Sequence, residues 1–200
     1  VNFSKSGSFS LSIWAKRFHP ETTLADQADT DTNASQRLIG RGNYNNAYGI
    51  EYRPHTDEIK AKIRSGSASD TEKSAVFVMG DNMTGSFHHI VMTFESGSET
   101  GLKLYVDGEM RNTATTLNMH GGVSLDPVNG GDISVIIPEG PSEQLEIGGG
   151  GVVGGNSYGF NGYLQYPRVY GTTLTDTEVL KLYENPDGIL EGEITDVKVT

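Results

Sequence analysis

The sequence has no cysteine, one tryptophan and fewer basic than acidic residues. Without cysteine the chain has no disulfide bond, no thiolate zinc site and no thiol nucleophile. It also lacks any apolar run near the roughly 18 residues that a membrane-spanning helix needs, so we predict no membrane insertion. The 15 basic and 26 acidic residues give a formal net charge of −11. This balance argues against nucleic-acid binding, because Lys and Arg supply most of that affinity.

Glycine, in contrast, is abundant. The 200 residues include 26 glycines, and only 35% of the residues are hydrophobic. Low apolar content with many glycines is typical of short strands joined by tight turns. The length suits one large all-β domain.

The clearest strand pattern lies in the middle of the chain. Apolar residues alternate with other residues along 90–94 and again along 102–106. Such alternation predicts two half-buried antiparallel strands. The Asp107-Gly108 pair that follows predicts a type I′ turn, because both central residues of that turn need a positive φ. We therefore predict a β-meander at the centre of the fold.

A further strand is predicted over residues 58–64. Apolar residues alternate there with Lys60, Lys62 and Arg64, which form a basic stripe on one face. Because lysines often protect the open edge of a sheet, we expect a solvated edge strand.

Sequence patterns near the two ends of the chain also predict secondary structure. Phe9, Leu11 and Ile13 alternate with small polar residues, which predicts a first strand. We expect Trp14 of this strand to pack in the core or on the second face of the sheet, and an exposed platform for a sugar is the alternative. Near the C-terminus, Thr175 and Glu178 have the spacing of a helix capping box, and the Asn185-Pro186 pair predicts the end of that helix.

Three stretches together resemble the laminin-G-like, concanavalin A-like lectin/glucanase family. They are FSLSIW from Phe9, FHHIV with LKLYVDG in the central meander, and the closing segment from Phe160 to Glu178. The resemblance implies an all-β antiparallel sandwich of jelly-roll type with one short C-terminal helix. It also implies a domain over residues 1–186. Residues 187–200 would then be a linker or the start of a following strand or domain of a longer polypeptide.

The sequence departs from the family pattern at two places. Phe87 stands where the family usually has tryptophan, and Gln165 stands where it usually has an acidic residue. Pro167 falls where a ladder residue is expected. Because proline cannot donate a sheet hydrogen bond, we expect a bulge or an edge strand there.

Two clusters of tyrosine and asparagine are candidates for sugar binding. Tyrosine rings stack on the apolar face of a pyranose, and asparagine amides offer both a donor and an acceptor to hydroxyls. Turn chemistry alone would also explain the asparagines. The candidate ligand-binding residues are Tyr44, Asn45, Asn46, Tyr48, Asn156, Tyr158 and Asn161.

An acidic loop offers a candidate calcium site. Asp29, Asp31 and Asn33 imitate the start of a calcium loop, in which alternate oxygens converge on one cation. The match then fails, since Ala34 and Gly40 stand where glycine and glutamate are needed. A flexible acidic loop is the alternative to Ca²⁺ binding.

The sequence predicts no catalytic residues. A glycanase needs two carboxylates that flank the glycosidic bond, and no Glu-x-Asp-x-x-Glu run occurs. His88 and His89 are adjacent on one strand and must point to opposite faces, so they cannot converge on one metal or substrate. A glycanase or a polysaccharide lyase on the same fold is the minor alternative.

The resemblance and these residues predict a non-catalytic recognition or adhesion module that binds a glycan or surface polysaccharide. It would be part of a larger surface, secreted or virion protein, exposed outside a cell or on a virion, and would contact neighbouring domains or subunits. The alternative is a structural decoration or spacer domain of a capsid, fibre or adhesin, without a small ligand.

Overall fold

The computed structural model describes residues 8–18, 35–42, 47–54, 56–64, 71–95, 98, 100–113, 117–119, 145–149, 151–153 and 156–188. In these residues the elements are, in chain order, β1 (Phe9–Arg17), β2 (Gln36–Gly42), β3 (Ala47–Arg53), β4 (Glu58–Arg64), β5 (Thr71–Val78), β6 (His88–Phe94), β7 (Leu102–Val106), β8 (Glu109–Thr113), β9 (Leu117–Met119), β10 (Leu145–Ile147), β11 (Gly151–Val153), β12 (Asn156–Tyr158), β13 (Gly162–Tyr170) and α1 (Asp176–Glu184).

The strands form two stacked antiparallel sheets. One sheet has five strands in the order β13-β1-β6-β7-β8, and the other has six in the order β10-β2-β3-β4-β5-β9. A two-stranded ribbon, β11-β12, lies apart from both sheets in the strand pairing. This architecture confirms the predicted jelly-roll sandwich with one short helix.

The core lies between the two sheets. Phe9, Leu11 and Ile13 of β1 point inward and are almost completely buried, and they meet Ile50 and Ile59 from the six-stranded sheet in one hydrophobic cluster. The alternation that predicted these strands is the cause, because successive side chains of a strand point to opposite faces.

The central meander is confirmed. β6, β7 and β8 pair as consecutive antiparallel neighbours. Asp107 and Gly108 form the turn between β7 and β8 with φ values of 54° and 80°, as a type I′ turn requires.

The helix packs on the outer face of the five-stranded sheet. Thr175 and Glu178 form the predicted capping box, and Asn185 follows the last helical residue. The apolar side of α1 buries a second, smaller hydrophobic cluster against the sheet. We call it the helix-covered end, and it consists of Val91, Tyr105, Tyr170, Leu174, Val179 and Leu182.

The expected irregularity near Pro167 is confirmed. β13 is an edge strand, and its register with β1 shifts between Ser12 and Trp14. Tyr166 has a φ of 49°, which is unusual for a residue with a side chain and accommodates the extra residue of a bulge.

The basic stripe of β4 corrects one expectation. The alternating lysines suggested a solvated edge strand, but β4 lies between β3 and β5. Lys60 is buried, and the Lys62 ammonium lies 2.6 Å from a carboxylate oxygen of Glu51 on β3. Alternation along one strand does not tell which strands pair on either side of it, and this is why the expectation failed.

None of the helices within the described residues has the length and apolar character that a membrane crossing requires.

Candidate ligand-binding surface

Tyr48 does not lie on a binding surface. Only 1% of the side chain is exposed, and its ring centroid lies 4.9 Å from that of Phe9 in the core. Burial raises the pKa of the Tyr48 hydroxyl to about 12. A ring that the core covers cannot stack on a sugar, so the interpretation of Tyr48 as a ligand-binding residue is wrong. The alternation of Tyr48, Ile50 and Tyr52 along β3 is the sequence signal for this burial.

The remaining candidates have different outcomes. Tyr44, Asn45 and Asn46, and the candidate calcium ligands Asp29, Asp31 and Asn33, lie outside the described residues. Asn156 and Tyr158 lie in β12, for which the structure defines the backbone. Asn161 lies directly before β13, and its carbonyl accepts a hydrogen bond from the backbone N–H of Phe18 at 3.3 Å.

A group of exposed aromatic side chains surrounds this contact. Phe18 and Tyr163 have 51% and 53% of their surface exposed. Their rings meet edge to face with centroids 4.4 Å apart, and the Phe87 ring lies 6.2 Å from that of Tyr163. We call Phe18, Phe87 and Tyr163 the aromatic patch. It occupies the end of the five-stranded sheet's outer face that α1 leaves open.

Strand register explains why these residues meet. Tyr163 of β13 is the partner of Lys16 on β1. Ala15 is the partner of His88, so the next step of the same ladder brings Lys16 opposite Phe87. Lys16 thus lies between two rings, with Tyr163 of β13 on one side and Phe87, which directly precedes β6, on the other.

Polar groups border the rings. The Lys16 ammonium donates to the Gly85 carbonyl at 3.2 Å, and an ammonium has three N–H groups in all. Gln165 is also exposed, and it lies two residues after Tyr163 on the same face of β13. Flat apolar rings beside a cation and an amide are the groups that recognise a pyranose, which has both an apolar C–H face and hydroxyls.

A compact loop, residues 80–87, holds Phe87 in position. Asp57 accepts hydrogen bonds from the backbone N–H groups of Gly80 at 2.6 Å and Asn82 at 3.0 Å. The backbone N–H of Arg17 donates to the Met83 carbonyl at 2.8 Å. The Met83 side chain is completely buried, so it anchors the loop in the core.

His88 and His89 point to opposite faces, as predicted. His89 lies on the outer face, where the Trp14 ring stacks on it at 5.1 Å, and Trp14 also stacks on Tyr183 of α1 at 5.8 Å. Burial lowers the pKa of His89 to about 4, so its imidazole is neutral near pH 7. This stack joins the helix-covered end to the aromatic patch, and it confirms that Trp14 packs on the second face.

The outer face of the six-stranded sheet has a different character. Glu51 is buried there and accepts from Ser35 at 3.0 Å beside Lys62. Burial alone would raise the pKa of Glu51, but the Lys62 ammonium holds it below its usual range. Arg37 binds Glu146 at 2.6 Å. These charges neutralise one another, so this network is a structural feature of the sheet.

No group of three histidine, cysteine or acidic side chains that could hold a metal ion occurs in the part of the chain that the structure describes. Asp29, Asp31 and Asn33 lie outside that part of the chain, so calcium binding by them stays a prediction.

The aromatic patch is not evident from local sequence patterns. Phe18 lies between Arg17 and His19, Tyr163 lies in the closing strand, and 145 positions separate the two rings in the chain. The alternation along β1 could have indicated the exposure of Phe18. Continued to residue 18, it places Phe18 and Lys16 on the face of Ser10 and Ser12, opposite the core face of Phe9 and Leu11.

The fold and this open surface define the molecule as a lectin-like jelly-roll domain. The chain belongs to the concanavalin A-like lectin/glucanases superfamily, because a laminin G family model of that superfamily matches residues 1–180. No curated protein matches the chain in sequence.

Solved structures share the fold at low sequence identity. The binding domain of botulinum neurotoxin serotype D is 15% identical with a TM-score of 0.55, over 92% of this chain and 39% of that one. A binding domain of botulinum neurotoxin DC in complex with SialylT is 10% identical with a TM-score of 0.50, over 90% of this chain and 35% of that one.

A SAP-like heptameric pentraxin from Limulus polyphemus is 15% identical with a TM-score of 0.52. That match covers 94% of this chain and 76% of the pentraxin. In contrast to the pentraxin match, this chain spans less than two fifths of the neurotoxin chain that was solved with SialylT. At these identities the structures establish the fold alone.

Proposed function

We propose that this chain is a non-catalytic recognition module that binds a carbohydrate at the aromatic patch. The observation that carries the proposal is the pair of half-exposed rings, Phe18 and Tyr163, which the fold leaves uncovered beside Lys16. Exposed, mutually packed aromatic rings with polar neighbours are suited to stacking on a sugar, with hydrogen bonds at the edge of the ring.

The membership of a lectin-like superfamily supports a sugar as the ligand. One neurotoxin binding domain with this fold was solved with SialylT. An open surface such as the aromatic patch would bind a single sugar weakly. High affinity would then come from several copies acting together, since linked sites raise the effective concentration. The module would accordingly be part of a larger protein exposed outside a cell or on a virion, as an adhesin or a virion structural protein is.

The site we assign consists of the aromatic patch with Lys16, Gln165 and Asn161. Asn156 and Tyr158 lie a few residues before Asn161 in the chain and extend the site as a proposal. Sugar binding by Tyr44, Asn45 and Asn46 is a separate proposal, because the neighbouring Tyr48 packs on Phe9 at the start of β1 and the aromatic patch lies at the end of β1. A Ca²⁺ ion at Asp29, Asp31 and Asn33 would be structural in this proposal, with the sugar held by the rings.

An array of neutral and acidic oligosaccharides tests the proposal with and without calcium. We expect the wild type to bind one class of glycan and the Phe18→Ala/Tyr163→Ala double variant to lose that binding by at least about tenfold, because aromatic stacking supplies about 1–3 kcal/mol per ring in comparable contacts. Met110→Ala is the matched control, because Met110 is 50% exposed on the far edge strand of the same sheet. Equal binding by wild type and double variant would contradict the site.

The structural alternative uses the same rings differently. In a spacer or decoration domain, Phe18 and Tyr163 would contact a neighbouring subunit and no glycan would bind. Sedimentation of the isolated chain distinguishes the two functions. A stable oligomer that the double variant dissociates, together with a blank array, favours the structural function.

A further inference from the structure

His88 bridges two carboxylates. Its Nδ1 lies 2.8 Å from Oδ2 of Asp107, and its Nε2 lies 2.9 Å from Oδ2 of Asp81. Asp81 belongs to the loop of residues 80–87, and Asp107 belongs to the turn between β7 and β8. The Asp81–His88–Asp107 bridge thus joins that loop to the central meander of the fold.

Neither carboxylate is free to turn away from the imidazole. The second oxygen of Asp81 accepts from the Met83 backbone N–H at 2.8 Å. The second oxygen of Asp107 accepts from the His89 backbone N–H at 2.9 Å. A rotation that moved either carboxylate away from His88 would therefore also break a backbone hydrogen bond.

The bridge needs a proton on each imidazole nitrogen. A neutral imidazole has one N–H and one lone pair, so one of its two carboxylate contacts would place a lone pair against an oxygen anion. The imidazolium donates to both carboxylates. The hydrogen bond to Asp107 raises the pKa of His88, partial burial opposes it, and Asp81 adds to the increase.

The loop that this bridge closes leads directly into the aromatic patch. Phe87 precedes His88 in the chain, and the Gly85 carbonyl accepts from Lys16. Within the described residues, Asp57 and Arg17 also contact the loop. Asp57 accepts from the backbone N–H groups of Gly80 and Asn82, and the Arg17 guanidinium donates to the Asn82 carbonyl.

We propose that the imidazolium of His88 is a positioning group that holds the loop 80–87 and thereby places Phe87 in the aromatic patch. Loss of the proton turns one contact of the bridge repulsive, so the His88 imidazole separates from Asp107 or from Asp81 of the loop. Above the pH at which His88 loses this proton, Phe87 is no longer held in the aromatic patch. The effect on sugar binding rests on the function proposed above, whereas the movement of the loop does not.

The variant Asp81→Asn removes the negative charge of this carboxylate and keeps the size and shape of the side chain. The amide oxygen can still accept from the Met83 N–H, and the amide NH₂ can donate to Nε2 of a neutral imidazole, whose Nδ1–H donates to Asp107. The bridge then forms without the imidazolium. We expect this variant to keep the loop in place at high pH.

Two-dimensional NMR from about pH 5 to about pH 9 tests the proposal, because this range spans the titration of histidine. In the wild type, the amide signals of Gly80, Met83 and Gly85 should shift with the same midpoint as His88, above the ordinary histidine value of about 6.5. In Asp81→Asn the midpoint of His88 should fall and the three amide signals should no longer follow it. A wild-type His88 midpoint at or below about 6.5, or loop amides that ignore it, would overturn the proposal.

The oligosaccharide array read on both sides of the midpoint tests the consequence. Wild-type binding should weaken by roughly fivefold above the midpoint, the equivalent of one ion pair, and Asp81→Asn binding should not change. Wild-type binding that stays constant while the loop amides shift would overturn the link to the patch. A blank array at every pH contradicts the proposed function instead, and the NMR titration then decides on the loop.

Discussion

The outer face of the five-stranded sheet has two ends that the chain treats differently. At the helix-covered end, Val179 and Leu182 of α1 are buried against Val91 and Tyr105 of the sheet. At the other end, no described helix covers the aromatic patch, and Phe18 and Tyr163 remain half exposed. Both ends present large apolar side chains from neighbouring strands of one sheet.

The difference indicates which end contributes stability and which is available to a partner. Burial removes apolar surface from water and stabilises the fold, whereas half-exposed rings leave much of that free energy unused. A binding surface needs this unused apolar area. The Trp14–His89–Tyr183 stack marks the boundary between the two ends.

Two leucines of α1 give the largest expected effect. Leu182→Ala should destabilise the fold by about 2–4 kcal/mol, because it removes buried methyl groups and leaves a cavity at the helix-covered end. Leu180→Ala is the matched control, because Leu180 is on the same helix with 42% of its surface exposed, and it should cost less than about 1 kcal/mol.

Chemical denaturation followed by Trp14 fluorescence measures both changes, since Trp14 is the only tryptophan and stacks on Tyr183 of the helix. Equal losses for Leu180 and Leu182 would mean that the helix does not cover the sheet as the structure has it, and the comparison of the two ends would fail.

His89 tests the boundary between the ends. The unfolded chain takes up a proton at His89 near the ordinary value of about 6.5. In the folded state burial lowers the pKa to about 4. Because the unfolded state binds more protons between these values, stability should fall as the pH drops through this window, by about 3 kcal/mol in all.

His89→Phe keeps a ring in the stack and cannot be protonated. We therefore expect its unfolding free energy to depend less on pH between about 6.5 and about 4 than that of the wild type. Urea unfolding at several pH values measures the difference. Parallel curves for the two proteins would show that His89 titrates normally and that the stack is open to water.

Much of the fold could be predicted from the sequence, because local patterns specify it. The Asp107-Gly108 turn, the capping box at Thr175 and the alternation along β1 each depend on neighbours in the chain. The order of the strands depends on distant pairing, and for this reason the place of β4 within its sheet was predicted wrongly.

The candidate site was harder to predict for the same reason. Tyr163 and Phe18 meet only because β1 and β13 are partners, although 145 positions separate them in the chain. Tyr48 was chosen for its aromatic ring beside asparagines, and its burial follows from the face of β3 that it occupies. Residue type suggested sugar binding, but the sheet decided which rings reach the surface. Asn161, which borders the patch, was chosen for its residue type and its place near the glycine-rich segment 148–155.

The smallest expected effect on stability belongs to the aromatic patch itself. Tyr163→Ala removes a half-exposed ring and one edge-to-face contact with Phe18, so the unfolding free energy should change by less than about 1 kcal/mol. The same variant should lose most of its binding on the oligosaccharide array, because its ring is the central one of the three. Denaturation and array binding measured on one preparation compare the two quantities directly. A loss of stability as large as that of Leu182→Ala would place Tyr163 in the folding core and remove the distinction between the covered and the open end.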